Sequence, residues 1–215
     1  MVEPELHSAL NAFAREHATT LFMVVHSALA VLLSRLSGTN DVAIGTPPVA
    51  GRGEAGLDDL VGMFVNTLVL RTPVDPAESF TDLLGRVRET DLGAFGHADV
   101  PFERLVEVLN PARSQARHPL FQVMLAFQNL AQTSFELPGL SVSGLDFDAQ
   151  VSKFDLQITL TESVDEQGSP AGMAAELTYA TDLFDESTIR SFAERFVRVL
   201  EAVVSEPSTL VGDLP

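Results

Sequence analysis

The chain has 215 residues, 46% of them hydrophobic and 7% aromatic, with a mean hydropathy of +0.19; this is enough apolar material for one sizeable domain or two small ones, and it excludes a disordered chain. Thirty acidic residues against 13 basic ones leave a formal charge of −17, which opposes binding to nucleic acid or to an anionic membrane, since both need a basic face. Cysteine is absent, so disulfides and thiolate metal sites are excluded. The longest apolar run, FMVVHSALAVLL, is cut by His26 and Ser27 and falls short of the ~18 residues a membrane span requires. Glu3, Glu5, Arg15 and Glu16 leave no continuous apolar centre for a secretory signal, and a cytoplasmic location is the expectation.

In chain order, Leu6, Leu10 and Phe13 lie at helical spacing between Pro4 and about Glu16. A second helix is expected from about Thr20 to Leu36, capped by Thr19 or Thr20 and stopped by Gly38 and Asn40. It is apolar nearly all round and should be buried on more than one side. DVAIG, 41–45, reads as a short strand, followed by a Gly/Pro loop to about Gly56. The segment 63–71 reads as a strand with Phe64, Asn66, Leu68 and Leu70 on one face and Met63, Val65, Thr67 and Val69 on the other. Both faces are mostly apolar, the pattern of a strand covered on both sides. Asn66 then needs a hydrogen-bonding partner, because a buried unsatisfied amide costs about 1–3 kcal/mol.

Ser79 should cap a helix carrying Phe80, Leu83, Leu84 and Val87 inward, and Pro101 should open a short helix ending at Asn110–Pro111. Asp99 stands where a carboxylate favours the positive end of that helix. PLFQVMLAFQ, 119–128, reads as a central strand, FDLQITLTE, 154–162, and GMAAELTY, 172–179, as alternating strands, and about Glu186 to Val204 as a final amphipathic helix. The pattern is α/β, one sheet with helices packed against it.

Several chemistries fail on spacing. GTPPVAGRG, 45–53, has its glycines six apart and then Arg52 and Gly53 where a phosphate loop needs Lys and Ser or Thr. The five histidines, His7, His17, His26, His97 and His118, show no metal-ligand spacing, and no G-x-S-x-G elbow occurs. Lys153, between Ser152 and Phe154, has the chemistry of a Schiff-base lysine, but a snorkelling surface lysine at a strand start is the favoured reading. The segments around His97 and ARSQARHPLFQ, 112–122, carry positive or titratable groups that helix capping does not explain.

Taken together, Ile44-Gly45-Thr46-Pro47 with Gly51-Arg52, Gly62-Met63-Phe64-Val65-Asn66-Thr67 with Arg71, His97-Ala98-Asp99-Val100-Pro101-Phe102-Glu103, Arg113 through Leu120, Ser152-Lys153-Phe154-Asp155-Leu156 and Tyr179 to Phe184 resemble, in order, the condensation domain of non-ribosomal peptide synthetases. Ala98, Ser114 and Ala116 depart from the family's usual Gln, Asp and Ser. The family's H-H-x-x-x-D-G signature has no counterpart, since no two histidines are adjacent.

The resemblance implies that residues 1–215 form a single lobe of chloramphenicol-acetyltransferase type, a mixed β-sheet with helices, equivalent to the C-terminal lobe, with the N-terminal catalytic lobe absent. It implies a wall of the tunnel through which two carrier proteins deliver phosphopantetheine arms for amide formation, with no covalently bound cofactor, no metal and no catalytic residue in these 215 residues. Phe64, Asn66 and Leu68 are the expected tunnel residues. Arg52, Gly62, Thr67, Arg71, His97, Asp99, Pro101, Phe102, Glu103, Arg117, Pro119 and Asp155 are expected to be structural members of the motifs. Expected partners are the N-terminal lobe, aminoacyl and peptidyl carrier proteins and neighbouring synthetase domains, with self-association of the isolated lobe. A second implied reading is a condensation-like platform that no longer catalyses and recruits a tailoring enzyme. A plain acetyltransferase would need a catalytic His near its C-terminus, and none follows His118.

Overall fold

The computed structural model describes residues 1–48, 60–112, 114, 116–128, 151–165 and 167–215. The expected loop from 49 to Gly56, with Arg52, and the expected Arg113 lie outside the described residues. Helix α1 spans Pro4–Glu16 and α2 spans Leu21–Ser37. The Thr20 side chain accepts a hydrogen bond from the Met23 N–H to open α2, and Gly38 at φ +71° closes it with its N–H on the Ser34 carbonyl. Strand β1, Asp41–Thr46, and β2, Leu68–Pro73, come next, then α3, Phe80–Phe95, capped by Ser79. After α4, Phe102–Leu109, come β3, Val123–Gln128, β4, Leu156–Val164, β5, Pro170–Tyr179, and α5, Glu186–Ser205.

The five strands form one mixed sheet in the order β2-β1-β3-β4-β5. The β1–β2 and β4–β5 pairs are antiparallel, and β3 runs parallel to both of its neighbours. The register places Leu70, Ile44, Val123, Leu156 and Tyr179 in one row across the sheet. Residues on that side pack with Leu29, Leu84, Phe196 and Leu200 into the core, so α1, α2, α3 and α5 cover one face. Helix α2 is the centre of this layer, with twelve of its residues buried; each fully buried Leu or Val contributes about 1.5–3 kcal/mol. No single helix among the described residues is long and apolar enough to cross a membrane.

Two readings of pattern are corrected. The regular strand expected at 63–71 begins only at Leu68, and in the segment before it Met63 is 90% exposed and Val65 55%. Covering on both sides therefore does not extend to it. Its backbone still follows the chain after β1, where the Asn66 N–H reaches the Pro48 carbonyl at 3.0 Å, two residues beyond the Thr46–Leu68 pair in the same register. The strand expected at 119–128 begins at Val123; Leu120 at φ +71° breaks the extended run.

On the sheet face opposite the helices, Phe121 lies across β1. A Cβ on Gly45 would sit 2.2 Å from the Phe121 ring, so only glycine lets the ring rest there. Gly45→Ala is expected to lower the urea unfolding midpoint, at a cost of about 1–3 kcal/mol; an unchanged midpoint would show that the ring moves aside freely.

At the start of β1 the Asp41 carboxylate holds both arms of Arg71, at 2.8 and 2.7 Å. Hydrogen bonding by the Arg71 guanidinium holds the Asp41 carboxyl below its ordinary 3.8. Stability from a depressed carboxyl is present above the unfolded value and lost as pH falls through the folded one. The stability difference between the native chain and Arg71→Ala is thus expected at neutral pH, small because both side chains are exposed. It should vanish on the acid side of 3.8, which acid titration of the two unfolding curves checks.

Candidate functional site

Asn66 meets the demand its sequence context creates, and meets it with one segment. Its Nδ2 donates to the Ala98 and Val100 carbonyls, each at 2.7 Å, and its Oδ1 accepts the Phe102 N–H at 3.3 Å. Both amide hydrogens are engaged, and one oxygen lone pair remains. Phe102 is the first residue of α4, and its N–H is one of the groups a helix start leaves without an intrahelical partner. Pro101, as N-cap, has no side chain that could satisfy it. The Asn66 amide therefore caps α4 from another part of the chain. Asp99, expected to face the helix end, is exposed, and the carboxylate in the first turn is that of Glu103.

Four rings gather beyond this turn. His118 stacks on Phe102 at 5.3 Å and 26°, with Phe121 and Phe154 at 4.3 and 5.0 Å. His118 Nδ1 is inaccessible and has no hydrogen-bond partner among the described residues. This cluster was not foreseen; a titratable ring next to the apolar PLF run was its one trace in the sequence. Between α4 and the approach to β3 lies a cleft of about 860 Å³ whose lining includes Glu103, Val106, Arg117, His118 and Leu120. Leu120 holds a left-handed backbone there, a conformation that costs a non-glycine residue about 1–2 kcal/mol.

Two further histidines act inside the core. With Nδ1 protonated, His26 donates to Asp91 Oδ2 at 3.0 Å, and its Nε2 accepts from Thr72 Oγ1 at 3.3 Å. This joins α2, α3 and β2 by fully or nearly buried groups. His7 donates to Glu162 at 2.9 Å and accepts the Gly172 N–H at 3.2 Å, fastening α1 to β4 and β5. A histidine within an otherwise apolar helix was the available signal for His26.

The expected site residues divide. Phe64 is half-buried and Leu68 is buried at 8% exposure. Gly62 is exposed and lies under the Phe64 ring, and Thr67 is half-buried. His97 is exposed and bonds the Gly93 carbonyl through Nδ1 at 2.8 Å. Asn66, Pro101, Phe102 and Glu103 belong to the clamped turn, and Arg117 and Pro119 line the cleft with Glu103. Arg71, paired with Asp41, is spent on the sheet end. The backbone of Asp155 joins the Gln122 carbonyl to the Ala180 N–H. No group of three His, Asp or Glu that could hold a metal occurs among the described residues.

Comparison with known proteins agrees with this geometry. Residues 1–215 match the family model described as the condensation domain. The chain is 52% identical over 207 residues to CymA of Salinispora arenicola, described as a probable non-canonical nonribosomal peptide synthetase, and 49% identical over 213 residues to a dimodular nonribosomal peptide synthase of Bacillus subtilis. It spans 3% and 9% of those chains' lengths. Among solved structures, the X-domain from teicoplanin biosynthesis superposes with a TM-score of 0.91 at 32% identity, covering 100% of this chain and 48% of that one. The X-domain has also been solved in complex with OxyB, with a TM-score of 0.87.

The clamp has a local readout. Asn66→Ala removes the acceptor of the Phe102 N–H, and hydrogen exchange at that amide is expected to accelerate about tenfold or more while Leu160 in β4 stays protected. Asn66→Asp sets a carboxylate against two carbonyl oxygens and is expected to cost about 1–3 kcal/mol. Equal exchange at Phe102 in the native chain and Asn66→Ala would contradict the clamp.

Proposed function

The chain belongs to the condensation-domain family, and we propose that its residues form one lobe of a two-lobed condensation domain of a non-ribosomal peptide synthetase. The observation that carries this reading is the match of the whole chain to about half, 48%, of the X-domain chain. The parent activity is amide formation: the amine of a carrier-bound acceptor attacks the thioester carbonyl of a carrier-bound donor, and the donor thiol leaves. This lobe supplies tunnel wall and docking surface for the carriers and for the neighbouring lobe and synthetase domains. Histidines occur only at 7, 17, 26, 97 and 118, so the family's H-H-x-x-x-D-G group does not lie within these residues, and the chain by itself forms no amide.

Phosphopantetheine reaches the tunnel on the carriers. The fit of Asn66 to its amides is limited to one acceptor lone pair, because both of its N–H groups hold the 98–102 turn. Asn66 therefore acts mainly through that turn, which sets the position of Phe102 and α4 beside the tunnel. Leu60, Val61, Met63 and Val65, all more than half exposed, form an apolar strip suited to the neighbouring lobe, and in the isolated chain this strip promotes self-association.

A second reading has one observation in its favour. The likeness to the X-domain, solved with OxyB, suits a platform that binds a partner protein and no longer catalyses. The identities to peptide synthetases favour the catalytic parent.

Incubated with aminoacyl and peptidyl carrier proteins, the 215-residue chain is expected to give no dipeptide, whereas the complete domain gives it. Within the complete domain, Asn66→Ala is expected to reduce the rate and the melting temperature together, as a structural tie does. Dipeptide formed by the chain alone would refute the single-lobe reading.

A further inference from the structure

Strand β5 is an edge of the sheet, and one short bridge begins to cover it. The Val2 N–H donates to the Met173 carbonyl at 2.8 Å, and the Met173 N–H to the Val2 carbonyl at 2.9 Å, in antiparallel sense. Both backbone groups of Met173 therefore point away from β4. In an antiparallel ladder this direction alternates from residue to residue. The register from Met173 to Tyr179 is unshifted, so Ala174, Glu176 and Thr178 bond to β4, while Ala175, Leu177 and Tyr179 turn their N–H and C=O outward. Among the described residues no group meets those of Ala175 or Leu177. Such a row is a template for another strand. The opposite edge, β2, carries Arg71 and ends on Pro73, residue types that blunt an edge. Ala175 lies opposite the fully buried Leu160 and on its face, yet is exposed. The helix layer is open above it, at an apolar pocket of about 40 Å³ whose lining includes Leu33, Leu36, Leu177 and Phe192.

We propose that β5 pairs with β5 of a second copy of this chain, antiparallel about a two-fold axis at Leu177, so that the two sheets join edge to edge. The open length of the strand is its own complement. Val2 stops the row at Met173 and β5 ends at Tyr179, so residues 175–179 remain, and Leu177 is their centre. About this centre Leu177 faces Leu177, Glu176 faces Thr178, and Ala175 faces the partner's Tyr179. The large ring then lies over the small side chain, at the mouth of the apolar pocket. Centring on Glu176 sets two carboxylates opposite each other, which is destabilising, and directs Tyr179 onto Met173, whose groups Val2 already holds. Centring on Thr178 leaves Ala175 without a partner strand. One register is thus favoured. Each chain carries −17, so repulsion keeps the pairing weak and salt strengthens it. The inference stands on the sheet edge and not on the condensation reading. It is also separate from the strip at 60–65, which precedes β2 at the other end of the sheet.

Tyr179 is the one tyrosine of the chain, which has no tryptophan, so intrinsic fluorescence reads this strand. Sedimentation equilibrium of the 215-residue chain is expected to give a monomer–dimer equilibrium with a Kd of about 100 μM. The Kd should tighten about threefold or more from about 50 to about 500 mM salt. Tyr179 emission is expected to change along the same curve, and exchange at the Ala175 and Leu177 amides to slow as concentration rises. Thr178→Glu sets a carboxylate opposite the partner's Glu176 and is expected to weaken the dimer about tenfold. Adding Glu176→Lys makes the facing charges opposite and is expected to restore it, which separates repulsion from misfolding. Met63→Ser, in the strip before β2, leaves the Tyr179 signal and its concentration dependence unchanged. A chain that stays monomeric at about 1 mM overturns the proposal. So does a dimer whose Ala175 and Leu177 amides exchange as in the monomer, or a loss in Thr178→Glu that Glu176→Lys does not restore. Protection of the two amides independent of concentration also overturns it, because the chain itself then covers the edge.

Discussion

The carboxamide of Asn66 is the constraint on which the site depends. Three hydrogen bonds run from one side chain to three backbone groups within five residues, and they do two different jobs. The two donated bonds hold the carbonyls of a turn that has left regular structure, and the accepted bond completes the start of α4. A carboxylate supplies no donors and a hydroxyl too few; asparagine is the short side chain with two N–H groups and an acceptor in one plane. The neighbouring backbone is fixed as well, by the bond from the Asn66 N–H to Pro48. The position of α4 relative to the sheet therefore follows from the point where the chain enters β2.

The far end of that unit is held from inside the core. Thr72, late in β2, and Asp91, near the end of α3, are both bound to His26 of α2. Thus α3, which leads into the 98–102 turn, is registered against β2 by His26, and the turn itself by Asn66. On the opposite sheet face, the missing side chain of Gly45 lets Phe121 lie on β1, which carries His118 and Phe102 together. Helix α4 buries none of its residues in the core, so polar clamping and ring stacking take the place of the apolar packing that holds α2. An element held in this way can be displaced at low cost when a partner binds.

Much of this was legible in the sequence where local chemistry decides the outcome. Helix α2 declared itself through Thr20, an unbroken apolar surface and Gly38, each acting within a few residues. The strand expected at 63–71 holds as a regular strand only from Leu68, because alternation of Phe64, Leu68 and Leu70 marks extended chain and not where a ladder ends; the partners of the Asn66 side chain lie more than 30 positions distant, with Asn66 and Phe102 separated by 36. That Asn66 needed a partner was readable, while the identity of the partner was not. Asp99 was the natural guess as a charge at the start of a helix, yet a side chain remote in sequence took the cap. The resemblance carried the family from several motifs in order, but no single motif predicts that Glu103 and Arg117 line one cleft, because that depends on how α4 is hung.

The account stands or falls on whether the Asn66 amide is engaged with the turn in solution. The direct measurement is scalar coupling across hydrogen bonds in the labelled protein, from the Asn66 side-chain nitrogen to the carbonyl carbons of Ala98 and Val100. Couplings to both carbons, with two separate, slowly exchanging Asn66 amide protons, are the predicted result. A freely exchanging side-chain amide coupled to neither carbonyl would contradict it.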